Sequence, residues 1–242
     1  AAGATVPLTV YFADVPPGHW AHSSVNLIAH HGITGGVGNN NYAPDETLTR
    51  AQMAVFLVKA KHGPGYVPPA CTGVFADVSC VEPKGFAVDF IEQLYWDGVT
   101  AGCGGTPPNF CPNATIKKSE MAVFLLMARE GAQYGPPACT APGIFADVPC
   151  PTGFAVSFIE EVSRRGIDSG CGSGNFCPFS TVSRALMAQM VARTWGYQTP
   201  YVIPSQGSDT YNYTFNILNQ LTSVQTPSGS VSFTYDGDGQ RI

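Results

Sequence analysis

Three segments of this chain repeat one pattern, and this repetition constrains the fold more than any other feature. Each segment begins with Phe-Ala-Asp-Val, passes through a Gly followed by an apolar residue, and ends on an apolar stretch that contains methionine. The corresponding methionines, Met53, Met121 and Met187, lie 68 and 66 residues apart. A period this regular indicates one supersecondary unit copied three times. Because a catalytic centre rarely needs three copies of its scaffold, and because no nucleophile, phosphate-loop or zinc-protease motif is found, we predict that the chain is not an enzyme.

Each repeat is predicted to form a helix, a loop and a second helix. In the second helix, Met53, Phe56 and Leu57 have the i, i+3, i+4 spacing of a buried stripe, and the other two repeats match it. The first helix is predicted to carry an apolar face of its own. Its matching positions are Trp20, Val25 and Ile28 in repeat one, Phe86, Ile91 and Leu94 in repeat two, and Phe154, Ile159 and Val162 in repeat three.

One such helix pair cannot bury its stripe alone, whereas three pairs around a shared axis can. The predicted fold is therefore mainly α, with three helical repeats in a pseudo-threefold bundle and a small C-terminal β segment. The predicted units are an N-terminal strand with repeat one at 1–66, repeat two at 67–134, repeat three at 135–198, and a β-rich tail at 199–242.

Charge and hydropathy exclude two classes of partner. The formal net charge is −5, so the chain lacks the basic surface typical of nucleic-acid binding. The longest uninterrupted apolar run, Met121 to Ala128, is far too short to span a bilayer. The chain is accordingly predicted to bind no nucleic acid and to contain no membrane span.

The eight cysteines occur only in repeats two and three, four in each. One pair flanks the Phe-Ala-Asp-Val segment of its repeat, and the other flanks a Gly-rich loop that ends in Phe-Cys-Pro. Four local disulfides are the expectation, although sequence does not fix connectivity, and structural zinc is the alternative. The gaps are wider than zinc sites favour and the histidines lie elsewhere, so we predict no metal and no cofactor. The expected pairs are Cys71–Cys80, Cys103–Cys111, Cys139–Cys150 and Cys171–Cys177.

Disulfides persist outside the cytosol, so the cysteines predict an extracellular protein. The first residues, Ala1 to Pro7, resemble a mature end left by a signal peptide. The tail after about Thr199 is rich in Ser, Thr, Tyr, Asn and Gly, and Tyr213-Thr-Phe-Asn recurs 20 residues later as Phe233-Thr-Tyr-Asp. Alternating aromatic and Thr residues with a turn at Pro227-Ser-Gly predict strands there.

The repeats, roughly residues 10–198, resemble the S-layer homology family. Repeat one carries the resemblance in Phe12-Ala-Asp-Val, Gly18-His-Trp-Ala, Gly32-Ile-Thr-Gly-Gly and Thr49-Arg-Ala-Gln-Met-Ala. The tail resembles tyrosine–aspartate (YD or RHS) repeats, mainly through Tyr235-Asp236-Gly-Asp-Gly239. The first resemblance implies a pseudo-threefold helical bundle that attaches noncovalently to cell-envelope polysaccharide at the bacterial surface.

The family's binding grooves lie between repeats, where a Thr-Arg-Ala-Glu motif supplies a cation to an acidic polymer. By position, the resemblance implies Arg50, Lys118 and Arg184 as glycan-binding candidates, together with Trp20. The motif's acidic fourth residue is Gln52 in repeat one, Glu120 in repeat two and Leu186 in repeat three, so the pattern departs from the family's.

The three cations lie in the first turn of a helix, where the helix dipole favours anions. An anionic ligand or a protein carboxylate is therefore expected beside each of them. The candidate ion-pair partners are Asp14, Asp77 and Asp147, each at a fixed place in its repeat.

Three functional hypotheses follow from the sequence. The first is a non-enzymatic surface protein that its repeats anchor to envelope polysaccharide. The second is a structural subunit of a surface lattice or filament, joined through strands in the tail and in the β-prone segment 5–12. The third is the anchor of a larger YD-repeat surface protein or toxin, because the tail stops partway through a repeat.

Overall fold

The structure is mainly helical, as predicted. The computed structural model describes residues 12–197, 212–215, 221–226 and 229–232. In the part described, the helices are α1 (His22–His30), α2 (Arg50–His62), α3 (Val88–Trp96), α4 (Lys118–Glu130), α5 (Val156–Arg164) and α6 (Arg184–Thr194). No helix within these ranges is long and apolar enough to cross a membrane. Contacts divide the chain into two units, one of Leu8–Thr199 and one of Ala1–Pro7 with Pro200–Ile242.

The helices pack in an order that their sequence does not suggest. Helices α2, α4 and α6 contact one another at the centre of the helical unit. Helix α3 packs against α2, α5 packs against α4, and α1 packs against α6. Each first helix thus lies on the second helix of the preceding repeat, and α1 closes the series onto the last one.

Short extended segments before α2, α4 and α6 join the three repeats through their backbones. Leu48 N donates to Val182 O at 2.8 Å, Val182 N donates to Ile116 O at 2.8 Å, and Ile116 N donates to Leu48 O at 3.2 Å. These hydrogen bonds form a closed cycle of three, and all three side chains are buried. Because each of these residues donates one main-chain hydrogen bond and accepts another, the N–H and C=O groups of the three residues are paired although they are buried.

The predicted methionine stripes are core, since Met53, Met121 and Met187 are fully buried. The prediction for the aromatic positions of the first helices was wrong: Trp20, Phe86 and Phe154 are 58%, 67% and 65% exposed. They precede the helices, which begin only at His22, Val88 and Val156. In repeats two and three, the residue between the aromatic residue and the helix is Ala87 or Ala155. Its backbone is left-handed, with φ of 64° and 56°, so the aromatic residue does not continue the helix.

All four disulfides form with the predicted local pairing. The first of them joins Cys71 and Cys80, and the buried carboxylate of Glu92 binds the loop between these two cysteines. It accepts hydrogen bonds from the main-chain N–H groups of Thr72, Gly73 and Val74 at 2.6–2.8 Å and from the Thr72 hydroxyl at 3.0 Å. Burial raises the pKa of Glu92, but these donors outweigh it, so the pKa lies below its ordinary value.

The variant Glu92→Gln is expected to lower the free energy of unfolding by about 1.5–3 kcal/mol at pH 7, because it weakens charge-assisted hydrogen bonds. Since the pKa of Glu92 is depressed in the folded state, its stabilisation is present above the unfolded value of about 4.3 and is lost as the pH falls through the folded value. Urea unfolding between pH 2.5 and 7 measures this loss. The exposed Glu82→Gln is the control, and parallel pH profiles for the two variants would contradict the prediction.

The tail contains strands where the sequence predicts them. They are β1 (Asn212–Phe215), β2 (Leu221–Thr226) and β3 (Gly229–Ser232). The strands form an antiparallel sheet in the order β1-β2-β3, with Tyr213 opposite Val224 and Val224 opposite Val231. The second copy of the tail motif, at 233–236, and the N-terminal residues 5–11 lie outside the described residues.

Candidate functional site

The three aspartates of the Phe-Ala-Asp-Val segments bind main chain and do not pair with the predicted cations. Each carboxylate accepts two main-chain N–H groups from the second loop of its own repeat, at 2.7–2.8 Å. Asp14 binds the N–H groups of Tyr42 and Ala43, Asp77 those of Phe110 and Cys111, and Asp147 those of Phe176 and Cys177. Within the described ranges, no ion pair joins these aspartates to the three cations. The predicted direct ion pairs are therefore not formed, because peptide N–H groups already occupy the carboxylates, and Asp77 acts on Arg50 only through its charge at longer range.

The cations are buried, with 5% of Arg50, 5% of Lys118 and 4% of Arg184 exposed. Arg50 Nε donates to Phe110 O at 2.7 Å, and Arg184 Nε donates to Tyr42 O at 2.8 Å. One loop peptide is thus held by its N–H through an aspartate of its own repeat and by its C=O through an arginine of another repeat.

The rings of the same loop residues lie beside the cations. The guanidinium carbon of Arg50 is 4.8 Å from the centroid of Phe110, and that of Arg184 is 4.7 Å from the centroid of Tyr42. Arg50 Nη2 has no oxygen acceptor within the described residues, so the ring face is its compensation. Burial lowers the pKa of Arg50, and the negative charges of Glu120 and Asp77 partly offset that effect.

The buried charge of Lys118 is compensated by a different partner. Its Nζ lies 4.5 Å from the ring centroid of Phe176 and 3.0 Å from Oδ2 of the buried Asp168. This Oδ2 makes no well-directed hydrogen bond, so attraction between opposite charges holds the pair. The sequence places Thr34 and Thr100 where repeat three has Asp168, and all three side chains accept an N–H from the residue two positions later. The repeat with lysine in place of arginine, at position 118, therefore contacts the repeat with aspartate in place of threonine, at position 168.

The first N–H groups of α2, which could bind an anionic ligand, already have acceptors within the protein. The N–H of Arg50 donates to Ala114 O, the N–H of Ala51 donates to Pro112 O, and the N–H of Gln52 donates to the Thr49 hydroxyl. Helices α4 and α6 begin with the same pair of carbonyl acceptors from a neighbouring repeat. The partners of the three cations are thus loop carbonyls or Asp168. Burial removes the cations from direct contact with a polymer, which corrects the glycan-binding role predicted for them.

An exposed groove lies between α2 and the start of α3. It encloses about 360 Å³ and is lined by Val55 and Lys59 from α2 and by Lys84, Phe86 and Asp89 from the other side. Lys84 pairs with Asp89 at 3.2 Å, whereas the half-buried Lys59 has no carboxylate partner in the described part of the chain. The repeat pattern gave no sign of this cation, because the matching residues are Met127 and Arg193.

Trp20 is the predicted glycan-binding residue that stays accessible. Its ring lies 5.8 Å from that of His19 in a stacked arrangement. It occupies the sequence position that Phe86 holds at the groove between α2 and α3. An exposed aromatic ring at the same place in every repeat is suited to stacking on an apolar face of a ligand.

Residues 11–54 match the S-layer homology domain. This S-layer homology match includes Asp14, Trp20 and Arg50, which the sequence resemblance singled out.

Matches to bacterial surface proteins extend beyond residues 11–54. The chain is 30% identical over 185 residues to the S-layer protein EA1 of Bacillus anthracis, and 30% identical over 183 residues to an S-layer protein of Bacillus licheniformis. Each match covers 76% of this chain and 20% of the relative. A cellulosome-anchoring protein of Acetivibrio thermocellus is 26% identical over 117 residues, which are 48% of this chain and 25% of that protein. The chain thus spans about a fifth of the length of these S-layer relatives.

The S-layer homology match and the S-layer relatives support a cell-surface location for this protein. This location agrees with the four disulfides, since such bonds persist outside the cytosol.

Proposed function

We propose that the helical unit is a non-enzymatic module that anchors the protein to an acidic polysaccharide of the bacterial envelope. The observation that carries this proposal is the groove between α2 and α3, which is lined by the exposed ring of Phe86 and by Lys59, a cation with no carboxylate partner among the described residues. A polymer with carboxylate or phosphate groups supplies the missing counter-charge, and the ring offers a face for a sugar.

In this proposal the three helical repeats form a pseudo-threefold bundle, and the buried cations align the walls of its grooves without touching the polymer. The matching helix pair α6 and α1 presents Arg193 where the first groove has Lys59, and Trp20 where it has Phe86. The pair α4 and α5 has Met127 at the basic position, so we expect it to contribute least. The name of the cellulosome-anchoring relative supports an anchoring role.

The variant Lys59→Met tests this assignment, since methionine already occupies the matching position in repeat two. Binding to purified acidic envelope polysaccharide is expected to weaken about 5–10-fold at low salt, as one charge-assisted contact is lost at a half-buried site. Calorimetry in 20 mM and 300 mM salt measures the affinity and its salt dependence.

The control is Arg129→Met, which removes an exposed positive charge from α4 outside this groove. It is expected to bind as the unaltered protein does. Equal affinities for Lys59→Met and Arg129→Met would count against the groove, and retained folding of both variants is checked by circular dichroism.

Two wider roles remain proposals. The S-layer proteins among the relatives favour a subunit of a surface lattice or filament, for which electron microscopy of the purified protein is the test. Other relatives are named as enzymes, an exoglucanase and an amylopullulanase, of which the matched region is 16% and 9%. They favour an anchor for a larger protein, which includes the YD-repeat hypothesis for the tail.

A further inference from the structure

A second cavity lies against the C-terminal half of α3, and its lining residues differ from those of the groove between α2 and α3. It encloses about 200 Å³, between the chain at Pro69 to Thr72 and the side chains of Gln93 and Trp96. Trp96 is 62% exposed, although its indole is among the largest apolar groups of the chain. A large aromatic ring exposed at the wall of a concave site marks a surface for a ligand.

The polar groups of this cavity are held in place before any ligand arrives. The Thr72 hydroxyl donates to Glu92 Oε2 at 3.0 Å, so its oxygen is left to accept. Gln93 Oε1 accepts the Tyr66 hydroxyl at 2.8 Å, and Gln93 Nε2 donates to Asp97 at 2.9 Å, which leaves one amide hydrogen for a ligand. The Cys71–Cys80 disulfide and the hydrogen bonds of Glu92 fix the opposite wall. Such preorganisation lowers the entropy cost of binding.

The charges at this cavity favour an uncharged ligand. None of its lining residues is a lysine or an arginine. The oxygens of the Glu92 carboxylate already accept hydrogen bonds from three main-chain N–H groups and one hydroxyl, and its negative charge repels an anion. An aromatic platform with one free donor and one free acceptor fits a ring that is apolar on its face and hydroxylated at its edge.

We propose that this cavity binds one uncharged sugar ring, stacked on Trp96 and hydrogen-bonded by Thr72 and Gln93. The site is particular to repeat two, because the residues that match Trp96 are His30 and Arg164. Arg164 forms ion pairs with Glu160 and Glu161, so repeat three carries a charged cluster at this place. This assignment does not depend on the groove between α2 and α3, which is proposed for acidic polymers.

Calorimetric titration of the full chain with cellohexaose, maltohexaose and chitohexaose tests the proposal. At least one of these oligosaccharides is expected to bind with a dissociation constant of about 1 mM, as a small contact surface implies. The variant Trp96→Arg, which copies the residue of repeat three, is expected to weaken that binding at least about tenfold. The control Phe179→Gln removes another exposed aromatic ring and is expected to leave the affinity unchanged.

Nuclear magnetic resonance locates the bound sugar. The signals of the Trp96 indole N–H and the Gln93 amide are expected to shift, while those of the Trp195 indole stay in place. Absence of binding by all three oligosaccharides, or equal binding by Trp96→Arg, would overturn the proposal. A titration with decaproline that shifts the same signals while the sugars do not would overturn it in favour of a peptide. Because these probes carry no acidic group, their failure leaves the acidic-polymer groove unaffected.

Discussion

Asp168→Thr is expected to lower the free energy of unfolding by about 3–5 kcal/mol, the loss typical when one partner of a buried ion pair is removed. Lys118 and Asp168 are both buried, and their charged atoms lie 3.0 Å apart. Threonine preserves the other contact of this side chain, the N–H of Gly170, because Thr34 and Thr100 accept the corresponding N–H two residues later in their own repeats. Urea unfolding followed by circular dichroism therefore measures the loss of the carboxylate alone.

The matched control restores the arrangement of the other repeats. The double variant Lys118→Arg with Asp168→Thr combines arginine with threonine. Arg50 and Thr100 hold the corresponding two positions in the repeat pattern. The double variant is expected to recover all but about 1 kcal/mol of the stability, since arginine can reach the loop carbonyl without a carboxylate. The explanation fails if Asp168→Thr costs less than about 1 kcal/mol, or if the double variant is no more stable than the single one.

Arg184→Ala is expected to destabilise the protein by about 3–4 kcal/mol, because it leaves the buried Tyr42 carbonyl without its donor and opens a cavity. The Arg184 Nε–Tyr42 O bond of 2.8 Å joins repeat three to repeat one, the junction at which α1 packs against α6. Main-chain amides of α1 are therefore expected to lose protection before those of α4. Hydrogen exchange with mass spectrometry measures this order, and urea unfolding gives the total cost.

Two further variants separate the role of Arg184 from a general loss of charge. Arg193→Ala, on the same helix, removes an exposed arginine whose contacts with Gly166 O and Ile167 O are 3.3 and 3.2 Å, and it is expected to cost at most about 1 kcal/mol. Arg184→Lys with Thr34→Asp transplants the Lys118–Asp168 pair and is expected to be more stable than Arg184→Lys alone. Equal costs for Arg184→Ala and Arg193→Ala would refute the proposed closure.

The comparison of sequence and structure is instructive at the helix starts. Thr49 and Gln52 stand three residues apart at the start of α2, which is a capping-box pattern in the sequence, and both hydrogen bonds of the box are present. The sequence also shows that repeat three keeps only the Ser183 half, and there Ser183 alone accepts the N–H of Leu186. These features could be predicted because a cap involves residues three apart, whose geometry the helix itself fixes.

The partners of the first-turn cations could not be predicted in this way. Sequence reasoning expected an anionic ligand or a protein carboxylate beside each cation, whereas Arg50 binds a carbonyl 60 residues away and Arg184 one 142 residues away. A main-chain carbonyl is present at every residue and so leaves no mark in the sequence. The one side-chain partner, Asp168, was visible as a departure from Thr34 and Thr100, but its meaning depended on the nearness of Lys118.

The sequence by itself predicted the six helices of the described residues, the buried methionine stripes and the local position of each cysteine pair, because periodicity and short spacings encode them. The structure then fixed the pairing of the cysteines. Only the tertiary structure decided which helices pack together and which cations are buried. It also decided that Lys59 has no carboxylate partner among the described residues and that Trp96 is 62% exposed. The physical reason is that a side chain's role depends on the burial and the acceptors supplied by other repeats, and these are settled only when α1 closes onto α6.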